Sequence, residues 1–196
     1  MQSNVPDIFV HVRVLVGVVL ALGITRVLTG LARFVQHPGQ KKLYLPHLLW
    51  LGIILLAAIH FWWFELDLSR IQPWPFELFV FVLLYAFLYF LLATVLIPDN
   101  IDEYASWEDY YFSRRVWFFG LFGATVPIDL IDTMAKGPAY FHSLGLEYPL
   151  RLCVVMVLCG VAVWTRNRLF HLGFALVYLL YLIGWIFRLY RVLDFS

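Results

Sequence analysis

The sequence predicts an all-α fold, a polytopic transmembrane bundle of about six helices forming one domain over residues 1–196. Three observations carry this. Hydrophobic residues make up 63% of the chain and charged residues 14%, with a mean hydropathy of +0.82, whereas a soluble domain averages about 25% charged residues. Six apolar runs can be drawn, at 8–35, 43–66, 76–97, 113–135, 149–165 and 168–188, each near the roughly 17–25 residues that cross a bilayer. Charges, prolines or both bound every run, and the short connections leave no extramembrane domain. The surroundings are therefore the lipid bilayer, with a homo-oligomer or a partner in a membrane complex left open. A net charge of +1 argues against a nucleic-acid partner.

The first run contains Arg26. It lies roughly 10 residues from the polar end at His37, which at about 1.5 Å per residue sets its Cα about 15 Å deep. A charge at the bilayer centre costs at least about 3 kcal/mol, so an acid, free carbonyls or water must answer it. Gly23, Arg26, Gly30, Arg33 and His37 fall within about 80° on a helical wheel. The two glycines would admit a closely packed neighbour. Arg33 and His37 either snorkel to headgroups or offer a basic surface. Met1–Asp7 has no basic region and no small-residue cleavage site follows, so the run reads as a retained helix rather than a signal peptide.

The second run has His47 near one end and His60 near the other, followed by Phe61-Trp62-Trp63-Phe64-Glu65. After the third run, the connection Pro98–Phe112 is acidic. Asp99 is placed to cap a helix, and Ile101, Tyr104, Glu108 and Tyr111 recur at helical spacing. This predicts a short amphipathic helix at the interface. Because an anionic leaflet repels it, it should rest on Arg33, Lys41, Lys42, Arg114 and Arg115.

The fourth run carries Pro127, which lacks a backbone donor, followed by Asp129 and Asp132 on one helical face. Depth matching pairs Asp129 with Arg26 and places Asp132 level with Arg13. The last two runs are joined by the tight Thr165–Arg168. Cys153 and Cys159 point to different faces of one run, as small buried hydrophobes rather than a disulfide or thiolate metal site. The eight tryptophans lie mostly near run ends, where an aromatic belt is expected.

Chemistry is open at two places. Arg26, Asp129, Asp132, His60 and Arg13 are candidates for a charged site between helices 1, 2 and 4, binding an ion, proton or small polar solute, with no cofactor. A static pair of salt bridges is the competing reading. As the alternative, His11 and His60 in one leaflet and His47 and His171 in the other are the set that two b-type haems would need. The spacing of His47 and His60, about 140° from alignment, argues against it. No nucleophile elbow, His-Glu-x-x-His or phosphate loop is present, so a non-enzyme is favoured. Gly/Pro placement gives no inverted repeat of the transporter kind.

Taken together, Gly23-Ile24-Thr25-Arg26, His60-Phe61-Trp62-Trp63 and Asp129-Leu130-Ile131-Asp132-Thr133 resemble an uncharacterised group of small bacterial multi-span membrane proteins. The resemblance implies a bacterial inner membrane and no activity. Lys and Arg are slightly enriched in the first, third and fifth connections, which places both termini outside the cytoplasm. The expected function is a small channel or carrier component. The alternatives are a haem- or quinone-linked redox protein, or a structural subunit of a membrane complex.

Overall fold

A computed structural model describes residues 8–37, 39, 41–65, 68 and 74–190. They form an all-helical bundle of α1 (Ile8–Gln36), α2 (Leu45–Phe64), α3 (Phe76–Leu96), α4 (Trp107–Ala135), α5 (Pro138–Ser143), α6 (Glu147–Trp164) and α7 (Arg168–Tyr190). All but α5 are long and apolar enough to span a membrane. The chain is a multi-pass membrane protein. Arg70 and the rest of 69–73, Met1–Asp7 and Arg191 lie outside the described residues.

Exposed Val14, Leu22, Trp117, Val157, Leu180 and Phe187 show why composition was so apolar: lipid, rather than water, is the solvent for the outer faces. The inward faces pack in pairs, α1 along α3 and α4 along α6, with α2 between α1, α3 and α7. Small residues set the closest approaches. A Cβ on Gly23 would stand 3.3 Å from the backbone of Phe90, and one on Gly30 would overlap the side chain of Ile97. The close neighbour expected for this glycine face is α3. Gly123 likewise lies against Cys159 of α6, while Cys153 is exposed, so only one of the two cysteines is buried.

The core is aromatic. Trp50, with no exposed surface, is ringed by Phe118, Phe119, Phe122, Phe174 and Tyr178 at centroid distances of 5.1, 5.3, 5.0, 5.1 and 5.9 Å. Position near a run end placed Trp50 in the belt. Packing of α2 against α4 and α7 puts it in the core instead. Trp62, Trp117 and Trp164 are exposed, as belt residues should be.

The acidic connection differs from expectation in form but not in placement. Asp99 caps no helix. Asn100 accepts from the Asp102 N–H at 3.0 Å and closes a 3-10 turn at Ile101–Glu103. Ser106 is the N-cap: its Oγ accepts from the Asp109 N–H at 3.2 Å, and Asp109 Oδ2 accepts from the Ala105 N–H at 3.3 Å. This reciprocal capping starts α4 at Trp107 rather than near 113. Of the basic residues expected beneath it, Lys41 and Arg114 hold the segment through Tyr104, while Arg115 bonds the Val163 and Phe112 carbonyls and the acids Asp99 and Glu108 pair with Arg26 and Arg168. Lys41 Nζ donates to the Tyr104 carbonyl at 3.0 Å, and Arg114 Nη2 donates to the Tyr104 hydroxyl at 2.6 Å.

Candidate functional site

The charged residues singled out from sequence divide between opposite ends of the bundle. Arg26 does not meet Asp129. Its Nη2 donates to the Ile97 carbonyl at 3.0 Å and pairs with Asp99. Depth measured from the end of α1 does not match depth in α4. Helix α1 continues from Val27 to Gln36 past the level at which α3 ends, so Arg26 already stands beside the start of the third connection. Arg13 does not meet Asp132 either. Its guanidinium lies over the rings of Phe9 and Trp62, at 5.7 and 5.0 Å, an arrangement of the cation–π type. The candidate site is therefore not built between helices 1, 2 and 4.

The acids of α4 belong to a polar cluster near the other end, and their partners come mainly from α6 and from the residue that follows α4. Arg151 Nη2 bonds Asp129 Oδ2 at 2.8 Å, with side chains 16% and 20% exposed. The Tyr148 hydroxyl donates toward Asp129, 2.9 Å from Oδ2 and 3.0 Å from the main-chain carbonyl, and lies 2.8 Å from Thr133 Oγ1. Arg151 also sits over the rings of Tyr148 and Trp185, at 5.0 and 5.1 Å. The guanidinium is thus held between a carboxylate and two aromatic faces.

Three residues towards the end of α4, Lys136 Nζ bonds Asp132 Oδ2 at 2.6 Å and Glu65 Oε1 at 3.4 Å, and it lies 3.5 Å from the centroid of the Phe64 ring. The three side chains are 2%, 0% and 6% exposed. One buried cation facing two carboxylates would leave a net negative charge in a low dielectric. Burial, and then the charge of Asp132, push the Glu65 carboxyl up to about 8. The shift favours the neutral carboxyl, the form that lessens the surplus charge.

Beside the Asp129–Arg151 pair lies a cavity of about 60 Å³ lined by residues of α2, α3, α4, α6 and α7. By the usual need of about 10–15 Å³ per water it has room for a few water molecules. Its polar lining is His60, Tyr85, Tyr89, Thr125, Asp129, Arg151 and Tyr178. His60 therefore shares an interior with Asp129, as its position in the run suggested, though Asp132 faces Lys136 instead. Pro127 falls between Thr125 and Asp129, and α4 runs unbroken through it. Its missing N–H deprives the Gly123 carbonyl of the usual donor.

The remaining histidines are differently placed. His47 Nε2 is 2.7 Å from the Leu96 carbonyl, and its ring stacks on Trp107 at 5.0 Å. His171 lies 2.9 Å from the Tyr111 hydroxyl through Nδ1 and 3.1 Å from the Thr165 carbonyl through Nε2. The Tyr111 ring packs edge-on against both imidazoles, at centroid distances of 6.3 and 5.3 Å. His11 is exposed on α1. Among the described residues, no three His, Cys, Asp or Glu side chains converge as metal ligands do.

Sequence reasoning missed Arg151, Lys136, Glu65 and Tyr148. Two signals were present. Asp132 and Lys136 are four apart, the spacing of a helical ion pair, and Arg151 fell inside the predicted fifth run rather than in a loop. Comparison with protein-family models, curated proteins and solved structures gives no match.

Proposed function

We propose that the protein is a small carrier or channel component that passes protons or a very small polar solute through the cavity lined by His60, Asp129 and Arg151. The observation that carries this is the cavity itself: a polar space lined by five helices and bordered by an ion pair, within a predominantly apolar bundle. Ionisable groups at membrane depth are expensive, face interiors and mark ion or proton paths. The volume favours water and protons over a metabolite. Glu65, beside Lys136 at the same end, is a second buried acid whose carboxyl burial pushes upward. The slight Lys and Arg bias supports a cytoplasmic Arg33 end with both termini on the opposite side, and the resemblance to small bacterial multi-span proteins supports a bacterial inner membrane.

The test is proton flux into proteoliposomes carrying a pH-sensitive dye, under an imposed potential. Wild type should conduct above empty vesicles, and both His60→Gln and Tyr89→Phe should lower the rate. Flux equal to that of empty vesicles, or unchanged in both variants, would reject the reading.

One further observation favours a second reading. An apolar groove of about 220 Å³ between α6 and α7 shares Arg151, Val155 and Tyr178 with the cavity. An amphipathic, quinone-like molecule would lay its chain in the groove and its polar ring toward Arg151. Extraction of the purified protein and an absorption spectrum separate the two readings.

A further inference from the structure

At the opposite end of the bundle a second cavity of about 180 Å³ is lined by Arg33, His37, Lys41, Phe34, Leu43, Pro98, Ile101 and Trp107, together with Gly39. Its polar wall is basic, with no acid among the described lining residues. Among the described residues, Arg33 and Lys41 bond to carbonyls: Arg33 Nη1 is 3.5 Å from the Pro98 carbonyl, and Lys41 Nζ is 3.0 Å from that of Tyr104. A carbonyl orients a cation without neutralising it. The neighbouring Asp99 is taken by Arg26. Among the described residues neither Arg33 nor Lys41 forms an ion pair. An arginine has five N–H donors and a lysine three, more than the one bond each makes here among the described residues, and both side chains line this space.

The opposite wall is apolar and aromatic. Phe34 meets Trp107 edge to face at 4.5 Å, and Leu43, Pro98 and Ile101 complete it. The cavity lies where α1 ends and α2 begins, at the rim of the membrane-spanning region. Two unneutralised cations beside an apolar wall, at that depth, match a molecule with a phosphate at one end and hydrocarbon at the other.

We infer that this cavity is a binding site for an anionic phospholipid, its headgroup phosphate bonded by Arg33 and Lys41 and its glycerol end against Phe34, Leu43 and Trp107. Basic pockets between transmembrane helices bind acidic headgroups in this way, and each Lys or Arg near the surface is worth about a fivefold change in affinity. His37 adds an N–H donor on the same wall. The site is separate from the His60 cavity and does not depend on its function.

The experiment titrates phosphatidylglycerol into the detergent-purified protein and follows lipid retention by native mass spectrometry together with the melting temperature. Phosphatidylcholine and inorganic phosphate serve as parallel arms. Wild type should bind phosphatidylglycerol at one saturable site and melt higher. Phosphatidylcholine should bind at least tenfold more weakly, and millimolar phosphate should neither compete nor raise the melting temperature. Arg33→Gln/Lys41→Gln should lose about 25-fold in affinity, and Lys42→Gln, beside the cavity but not lining it, should lose little. Equal retention of the two lipids would overturn the inference, and this arm needs only wild type. Full reproduction of the shift by inorganic phosphate would reassign the site to a free anion. Unchanged binding by the double variant would also overturn it.

Discussion

Loss of the Asp129–Arg151 pair should be costly from either side and much less than additive when both partners go. Removing one member of a buried ion pair leaves the other uncompensated, at about 3–5 kcal/mol. The side chains here keep 16% and 20% exposure, and some solvent reaches the survivor. Tyr148 also retains two partners when the Asp129 carboxylate is removed, the Asp129 main-chain carbonyl and Thr133 Oγ1. The lower end of the range therefore applies, about 3 kcal/mol for Asp129→Leu or Arg151→Leu. The double variant should also cost about 3 kcal/mol, giving a coupling energy of similar size. The assay is reversible unfolding in mixed dodecylmaltoside and SDS micelles, followed by tryptophan fluorescence. Arg26→Leu with Asp129→Leu is the control pair. Those two residues have separate partners at opposite ends, so their costs should add within about 0.5 kcal/mol. Additive costs for the Asp129 and Arg151 changes, or strong coupling of Asp129 to Arg26, would refute the reasoning.

Glu65→Gln should flatten the dependence of melting temperature on pH. The folded carboxyl titrates near 8 against an ordinary value of 4.5, so the native state holds a proton that the unfolded chain releases. That contribution is complete below pH 4.5, declines as pH rises, and is gone above 8. Wild type should therefore lose more stability than the variant between pH 5 and pH 9, and parallel melting curves would remove Glu65 from the account. Gly30→Val should cost about 1–3 kcal/mol by overpacking against Ile97, and Ile97→Ala should recover part of it in the same unfolding assay. Trp50→Ala should cost about 3–5 kcal/mol, with Trp50→Phe milder because five aromatic neighbours still close around the ring; equal losses would contradict the packing. Amide exchange across Ile101–Tyr110 should be slow in detergent because the segment is tied to Lys41 and Arg114.

The number, order and approximate ends of the six spans were legible in the sequence. Lipid imposes a length of about 20 apolar residues on every crossing, and that requirement is local. The glycine face of α1 was legible too, since a missing Cβ needs a close neighbour whichever helix supplies it. The cost of burying Arg26 and the shared face of Asp129 and Asp132 followed from single-helix geometry. Which charges would meet did not. Depth along one helix says nothing about where its neighbours end, and α1 outruns α3 by enough to give Arg26 to Asp99 instead of Asp129. Arg151 and Lys136 stood at run boundaries, where a charge reads as a loop residue until α4 and α6 pack and turn it inward. The same holds for Trp50, whose position near a run end mattered less than the aromatic faces of α4 and α7 that close over it. Burial free energy along a single segment is set by composition and period. The partner that neutralises a charge is set by the relative height and rotation of separate helices, which only their packing fixes.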